Sequence, residues 1–456
     1  MLRLHDTALG TVRELELRDP GKVSIYVCGP TVYGPPHIGH GRNLLVYDVL
    51  RRYLEWAGFE VRLVSNITDI DDNIIKRANE EGRSSEDVAV EYEKQWYDAV
   101  DALGVQRPHE DPHATDFVDG MIALIEDLFA RGIAYETADG VYFAVEEVDG
   151  YGLLAGQSLD MLRAGERVDV AEGKQSPADF ALWKKAKPGE PAWPSPWGEG
   201  RPGWHTECVV MSLELLGDGF DLHAGGMDLR FPHHENERAQ AVALGHTFAR
   251  HWMHHAFVET AGEKMSKSLG NFTTLPDLLS RTDPRAYRLV VLQSHYRSPL
   301  EVVPKVIEAA ERSLERLDDL VRRWEAVGDR RPWPPGERPD PEALGRFRRH
   351  MDDDLATPAV TALLFDLVTR ANTALGQDDL ATAALLVDAL LVVSGALGLT
   401  ARAADTELDE DTRRLVAERD DARAAKDFAR SDAIRDQLVA LGYVVQDTTA
   451  GTTVHR

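Results

Sequence analysis

Val23-Ser-Ile-Tyr-Val27 runs directly into Cys28-Gly-Pro-Thr-Val-Tyr-Gly-Pro-Pro36, and that junction decides the fold. The first stretch is β-branched and alternating, so it reads as a strand; the glycines and prolines of the second make a turn-rich loop. From Asn43 to Trp56 the apolar residues Leu44, Leu45, Tyr47, Val49, Leu50, Tyr53 and Leu54 recur at helical spacing, and Gly58 ends the run. Glu60 to Ile67 reads as a second strand. Strand, loop, helix and strand in this order make a βαβ unit, which predicts a parallel sheet with ligands at the carboxyl ends of its strands. Cys28 and its loop sit at such an end.

A second unit of the same kind lies far downstream: a strand at Gly219 to Ala224, a Gly225-Gly226 turn, a helix from about His233 to Leu244, and a strand at Trp252 to Val258. The sheet is therefore expected to be split by an insertion, placed at residues 116–199. Helical stretches at Ser85 to Ala102 and Phe117 to Ala130 and a Trp-, Pro- and Gly-rich stretch from Lys187 to Trp204 lie between the halves. Beyond about 275 the pattern turns helical, broken at Arg330-Arg-Pro-Trp-Pro-Pro-Gly336, which reads as a linker. Helices resume over Asp353 to Leu399. A helix around Ala422 to Leu441 then leads to Tyr443–Asp447 and Thr452–His455, whose alternation about a glycine-containing turn predicts a terminal β-hairpin.

At roughly 150 residues per domain, 456 residues predict about three domains, and 43% hydrophobic content suffices for a core in each. The net charge of −26 argues against a protein that coats nucleic acid or an anionic membrane, so a polyanionic ligand must find a local basic patch. The start, MLRLHDT, lacks the apolar run of an export signal, and a cytoplasmic protein is expected. Ala381 to Ala401 carries Asp388 as its one charge, but Ser394, Gly395 and Gly398 fit a buried helix and turn better than a membrane span. Cys28 and Cys208 are far apart in the chain and are expected to stay reduced.

Three constellations carry chemistry. His37-Ile-Gly-His40 falls at the expected start of the first helix, where unpaired N–H groups and the helix dipole favour an anion. Gly39 would let a base or ribose approach, and the histidines could donate to phosphoryl oxygens; a plain helix cap on a polar surface is the alternative. Lys264-Met-Ser-Lys-Ser268 places two lysines in a loop suited to phosphates, against the alternative of a solvated basic turn. His233 and Glu237 share a helix face, and with Cys28 and Cys208 they make four ligands of types that zinc accepts. The dispersed spacing leaves open two buried structural thiols and a surface ion network.

Together these residues resemble the class I aminoacyl-tRNA synthetases, and within them the cysteinyl-tRNA synthetase family. Its HIGH motif matches His37 to His40 and its KMSKS motif Lys264 to Ser268. The likeness extends through Tyr26–Tyr33, Asn66–Asp72, Arg201–Cys208, Phe231–Glu237, Ser294–Pro299 and Asp352–Pro358 to the last segment, and so covers nearly the whole chain. The resemblance implies an α/β fold: a Rossmann-like parallel-sheet catalytic domain (1–115 and 200–275) split by the connective insertion (116–199). A stem (276–345), a helical bundle (346–400) and an anticodon-binding domain (401–456) follow, mainly α-helical with a small terminal hairpin.

The resemblance also implies ATP-dependent ligation of L-cysteine to the 3′ end of tRNA(Cys) through a cysteinyl-adenylate. It puts Zn²⁺ on Cys28, Cys208, His233 and Glu237, ready to select the substrate thiolate over a serine hydroxyl. ATP, with Mg²⁺, is assigned to His37, Gly39, His40 and Lys267; His37, His40, Lys264 and Lys267 are the catalytic set; Thr31, Thr68, Trp204, His223 and Asp228 hold cysteine. A monomer is expected. Against the acidic composition, Arg281, Arg285, Arg288 and Arg297, with Arg346, Arg348 and Arg349, offer local basic clusters for tRNA, their alternative being solvated helix faces. Two rival readings are a tRNA-independent cysteine:amino-sugar ligase and a non-catalytic zinc-stabilised paralogue.

Overall fold

The computed structural model describes residues 2–156, 173–260, 263–264, 274–402, 410–448 and 451–455. It divides into two compact units, one of Met1–Glu311, Pro341–Leu364 and Val393–Leu399, the other of Arg312–Asp340, Phe365–Val392 and Thr400–Arg456.

The first unit opens with a short antiparallel pair, β1 (Arg3–Asp6) and β2 (Thr11–Glu14), which the sequence pattern did not reveal. Next come β3 (Lys22–Val27), helix α1 (Ile38–Trp56) and β4 (Glu60–Ser65), and β3 pairs with β4 in parallel from Lys22↔Glu60 to Val27↔Ser65. The βαβ expectation therefore holds, with α1 starting earlier than Asn43. After helices α2 (Asp72–Glu81), α3 (Ser85–Ala102) and α4 (Val118–Ala130), the chain returns through β9 (Phe220–Gly226) and β10 (Ala249–His255). The four-stranded sheet has the order β10-β9-β3-β4, with every pairing parallel.

A sheet covered on both faces cannot alternate, and β9 is buried along its whole length. The polar residues on these strands are bonded to each other: Ser24 N and Oγ donate to Asp221 Oδ2 at 2.7 and 2.6 Å. Gly29, just past β3, is required by close approach, since a Cβ there would lie 1.6 Å from Asn66 O.

The insertion holds more order than its composition suggested. Its strands β5 (Ala134–Glu136), β6 (Gly140–Phe143) and β7 (Phe180–Lys185) form an antiparallel sheet in sequence order, completed by β8 (Gly200–Pro202), which lies just past the expected boundary at 199. Phe143, Phe180, Trp183 and Trp197 join the cluster containing Tyr26, Val209, Phe220 and Trp252 of the parallel-sheet region. Lys184, from β7, and Arg201, from β8, both bond Asp72 at the start of α2.

In the second unit the proline-rich stretch is not an open linker. Asp388, the single charge of the apolar segment noted above, is fully buried and accepts from Trp333 Nε1 (2.9 Å), Gly336 N (2.6 Å) and Arg338 N (3.0 Å). Its helix is Leu380–Ala396, and among the described residues no helix is long and apolar enough to cross a membrane. The expected helix at 422–441 is two, Glu410–Ala424 and Phe428–Ala440, broken where Lys426 takes φ 61° and Asp427 caps the second by accepting from Arg430 N. The terminal hairpin is present as two antiparallel strands, Val444–Thr448 and Gly451–His455, packed with Ile434 and Leu438.

Candidate active site

The loop after β3 delivers the chain to the N-terminus of α1, and the two histidines of the first motif close that end. His37 Nδ1 accepts from His40 N at 3.3 Å and His40 Nδ1 accepts from His37 N at 3.2 Å, a reciprocal capping box with the rings stacked 3.7 Å apart. An Nδ1 that accepts leaves the proton of a neutral ring on Nε2, so both rings carry an Nε2–H donor. The helix-cap reading therefore holds, and the cap uses Nδ1 of each ring. A Cβ on Gly39 would stand 2.8 Å from the His37 ring.

Four donors from three separate elements converge beside the end of β3. Cys28 follows the strand, Cys208 lies on the helix Trp204–Leu216, and His233 and Glu237 flank the start of the helix Glu235–Ala243. Cys28 Sγ is 3.7 Å from Cys208 Sγ and 3.5 Å from Glu237 Oε1; His233 Nε2 is 3.7 Å from Cys208 Sγ and 2.8 Å from Glu237 Oε1. All four are buried, and their ligand atoms lie within 4.8 Å of one another. The ligand atoms of Cys28, His223, His234 and Glu237 also lie within 4.8 Å of one another.

Around this quartet, Trp204 stacks on His233 at 3.9 Å, and His205 Nδ1 is 2.9 Å from His233 Nδ1. His223 Nε2 holds the other oxygen of Glu237 at 2.6 Å. His234 Nε2 lies 3.2 Å from Cys28 Sγ, and its Nδ1 is 2.8 Å from His254 Nε2.

Burial pushes the Cys28 thiol well up, helped by its bond to Cys208. Burial raises Cys208 too, but the hydrogen bond from Cys28 and the neighbouring His233 hold it at about 6. Burial likewise opposes ionisation of Glu237, yet His233 and His223 keep its carboxyl well below the usual range. Burial depresses His233, but Glu237 and Cys208 together lift it to about 10. The deprotonated forms of Cys208 and Glu237 are those a cation requires of its ligands.

A cleft of about 400 Å³ joins the two features. Cys28, Thr31, His37, Gly39, His40, Trp204 and Asp228 line it. Thr68 stands one layer back, bridged to Thr31 and donating to Glu207 Oε2 at 2.8 Å, and His223 is fully buried behind Glu237. Asn43, Asp71, Asn73, Trp96, His255 and Phe257 also line the cleft and were not singled out from the sequence. Asp71 lay inside a stretch quoted above, and an acidic residue just past a strand end was the available signal; the others carried none.

Lys264 ends β12 (Glu263–Lys264), paired with Glu259 of β11 (Val258–Thr260), and Lys267 lies outside the described residues. Thr274 bridges to His37, and Leu275 N donates to Pro36 O at 2.7 Å. The basic cluster read for tRNA needs correction. Arg288 is 1% exposed and bound to Asp48 at 2.5 Å and to the carbonyls of Leu397, Leu103 and Gly104, so it is a core ion pair. Arg285 pairs with Asp283 and Arg297 with Asp354.

This fold is that of the class I aminoacyl-tRNA synthetases. The solved methionyl-tRNA synthetase of Mycobacterium tuberculosis in complex with methionyl-adenylate aligns over 82% of this chain and 90% of that one, with a TM-score of 0.63 at 16% identity. The Agrobacterium radiobacter LeuRS–tRNA–LeuAMS complex aligns over 84% and 85%, with a TM-score of 0.61 at 11% identity.

Sequence narrows the class. Residues 14–312 match the tRNA synthetases class I (C) catalytic domain, 346–401 the DALR domain, and 405–454 the cysteinyl-tRNA ligase anticodon binding domain. The cysteine–tRNA ligase of Alkalilimnicola ehrlichii is 47% identical over 100% of both chains, and that of Thermus thermophilus 46% identical over 99% of this chain and 98% of its own. The chain belongs to the cysteine–tRNA ligase family.

Proposed function

We infer that this protein joins L-cysteine to the 3′ end of tRNA(Cys) at the expense of ATP, by way of a cysteinyl-adenylate. One observation carries the chemistry: a single cleft is walled at one point by buried Cys28 of the metal-type quartet and at another by the His37–His40 turn at a helix N-terminus. The first suits a thiol substrate and the second a triphosphate.

The carboxylate of cysteine attacks the α-phosphorus of ATP and pyrophosphate leaves; a ribose hydroxyl of the tRNA terminus then takes the acyl group. Little covalent work falls on the protein, so its residues act by position and charge. His37 and His40 direct Nε2–H donors at phosphoryl oxygens, Lys264 and Lys267 accompany the departing pyrophosphate, and Mg²⁺ travels with ATP. Gly39 keeps the turn open to the nucleotide. Thr31, Trp204 and Asp228 take the amino acid directly, while Thr68 and His223 support that pocket through Thr31 and Glu237.

Cys28, Cys208, His233 and Glu237 are the set we assign to zinc, because Trp204, which stacks on His233, lines the cleft, whereas His223 and His234 do not line it and His234 is bonded to His254. Zinc bound there supplies a soft Lewis acid that favours a thiolate over a serine hydroxyl, selection that needs no hydrolytic editing.

The boundaries 1–115 with 200–275, 116–199, 276–345, 346–400 and 401–456 serve as catalytic domain, insertion, stem, bundle and anticodon-binding domain, in a cytoplasmic monomer. The test is ATP–pyrophosphate exchange with cysteine or serine on zinc-replete protein, repeated after chelation. Exchange with cysteine alone, lost with the metal and regained on zinc addition, is the expected result. Equal exchange with serine, or indifference to chelation, overturns the assignment of selectivity.

A further inference from the structure

His255 ends β10, lines the cleft, is 6% exposed, and packs against Tyr47. Tyr47 is itself pinned by donating to Gly225 O at 2.7 Å. Each ring nitrogen makes one polar contact. Nδ1 is 2.9 Å from Ala256 O, and a carbonyl oxygen can only accept, so Nδ1 carries the proton. Burial and the charge of Arg42 lower the ring's pKa to about 4, so near neutrality Nε2 is a bare lone pair.

The atom facing that lone pair, at 3.1 Å, is Oδ1 of Asn43. Two acceptors in contact repel, and a half-turn of the amide about its last side-chain torsion puts Nδ2 there instead as a donor. The amide oxygen is then turned away from His255, on a residue that lines the cleft.

We propose that His255 is a positioning residue that orients the Asn43 amide so that its oxygen accepts a hydrogen bond from a donor on the nucleoside of ATP. The proposal rests on the ATP-dependent reading given above. Asn43 lies three residues beyond His40 on the same face of α1, past the turn that faces the phosphates, and Phe257 and Val258 add apolar wall to that part of the cleft. Phosphate oxygens offer no proton near neutrality, whereas the ribose hydroxyls and the adenine amino group do. Three analogues separate these sources: 2′-deoxyATP, 3′-deoxyATP, and inosine triphosphate, which has an oxo group in place of the amine.

The experiment is ATP–pyrophosphate exchange on the full chain, with KM measured separately for ATP and cysteine. The proteins are the parent, His255→Phe, His255→Gln, Asn43→Leu and the His255→Phe/Asn43→Leu double variant. Losing one oriented hydrogen bond should raise the KM for ATP about tenfold in His255→Phe and leave that for cysteine unmoved. Gln, whose side-chain oxygen can accept from Asn43, should restore most of the loss. Asn43→Leu should match His255→Phe, with the double variant no worse than either, because the two act as one unit. One analogue should be discriminated against by the parent and not by His255→Phe, which names the donor.

An unchanged ATP KM, additive losses, or a parallel rise in both KM values without rescue overturns the proposal. Should His255→Phe fail to fold, Asn43→Leu and His255→Gln decide by the same readouts. Absence of cysteine-dependent exchange in the parent removes the underlying reading as well, an outcome distinct from exchange in the parent with indifferent variants.

Discussion

The contact between His223 and Glu237 gives a prediction whose size follows from the geometry. His223 was expected to touch the amino acid, yet it is fully buried and bound at 2.6 Å to the carboxylate oxygen that does not face His233. His233 and His223 both hold the proton off that carboxylate against the effect of its burial. His223→Leu fills similar space and leaves Oε2 buried without a partner, a cost of about 1.5–3 kcal/mol for a charged acceptor. At 1.4 kcal/mol per decade this weakens zinc binding about 10- to 100-fold, the range seen when groups supporting metal ligands are removed. Competition between the purified full chain and a chromogenic chelator measures it directly, and the KM for cysteine at saturating zinc provides the control. An unchanged zinc affinity combined with a raised cysteine KM would refute the reasoning and restore His223 as a direct contact.

Three further outcomes are expected. His37→Ala removes both a cap and a donor: exchange should fall about 100-fold or more, with the cysteine KM held, and the helix cap should account for only about 1 kcal/mol in thermal unfolding. Deleting residues 401–456 should abolish charging of tRNA while sparing cysteine-dependent exchange; unchanged charging would favour a tRNA-independent ligase. Asp388→Ala strands three donors that now converge on one carboxylate, and should destabilise the protein by about 2–4 kcal/mol in denaturant titration without changing zinc content.

The parts of this chain legible from sequence are those where a local period states the fold. Val23–Val27, the helix through Trp56 and the strand after Gly58 form a contiguous βαβ unit, so its parallel pairing followed. The antiparallel sheet of the insertion was hidden because its strands are three to six residues long and lie among turn residues, with Gly140 and Gly200 forced by backbone packing. The break at Lys426 was equally silent, since lysine gives no warning of a left-handed φ.

The quartet itself was assembled from residues 209 apart at the extremes, and topology alone joins them: β9 lies beside β3 and carries the turn that presents His233 next to Cys28. Arg288 shows the converse, for a run of arginines in sequence cannot distinguish a surface from the neighbourhood of a buried Asp48. Supporting contacts such as those of His205 with His233 and of Asn43 with His255 join residues far apart in the chain and emerge only from coordinates.

Both cysteines of the chain lie in the quartet, 3.7 Å apart and free of a disulfide. No thiol elsewhere competes for a sulfur-seeking reagent. A colorimetric thiol count on the unfolded, metal-stripped protein, two when this pair is reduced and zero when it is oxidised to a disulfide, therefore reports the redox state of this one site, with no label introduced and no background to subtract.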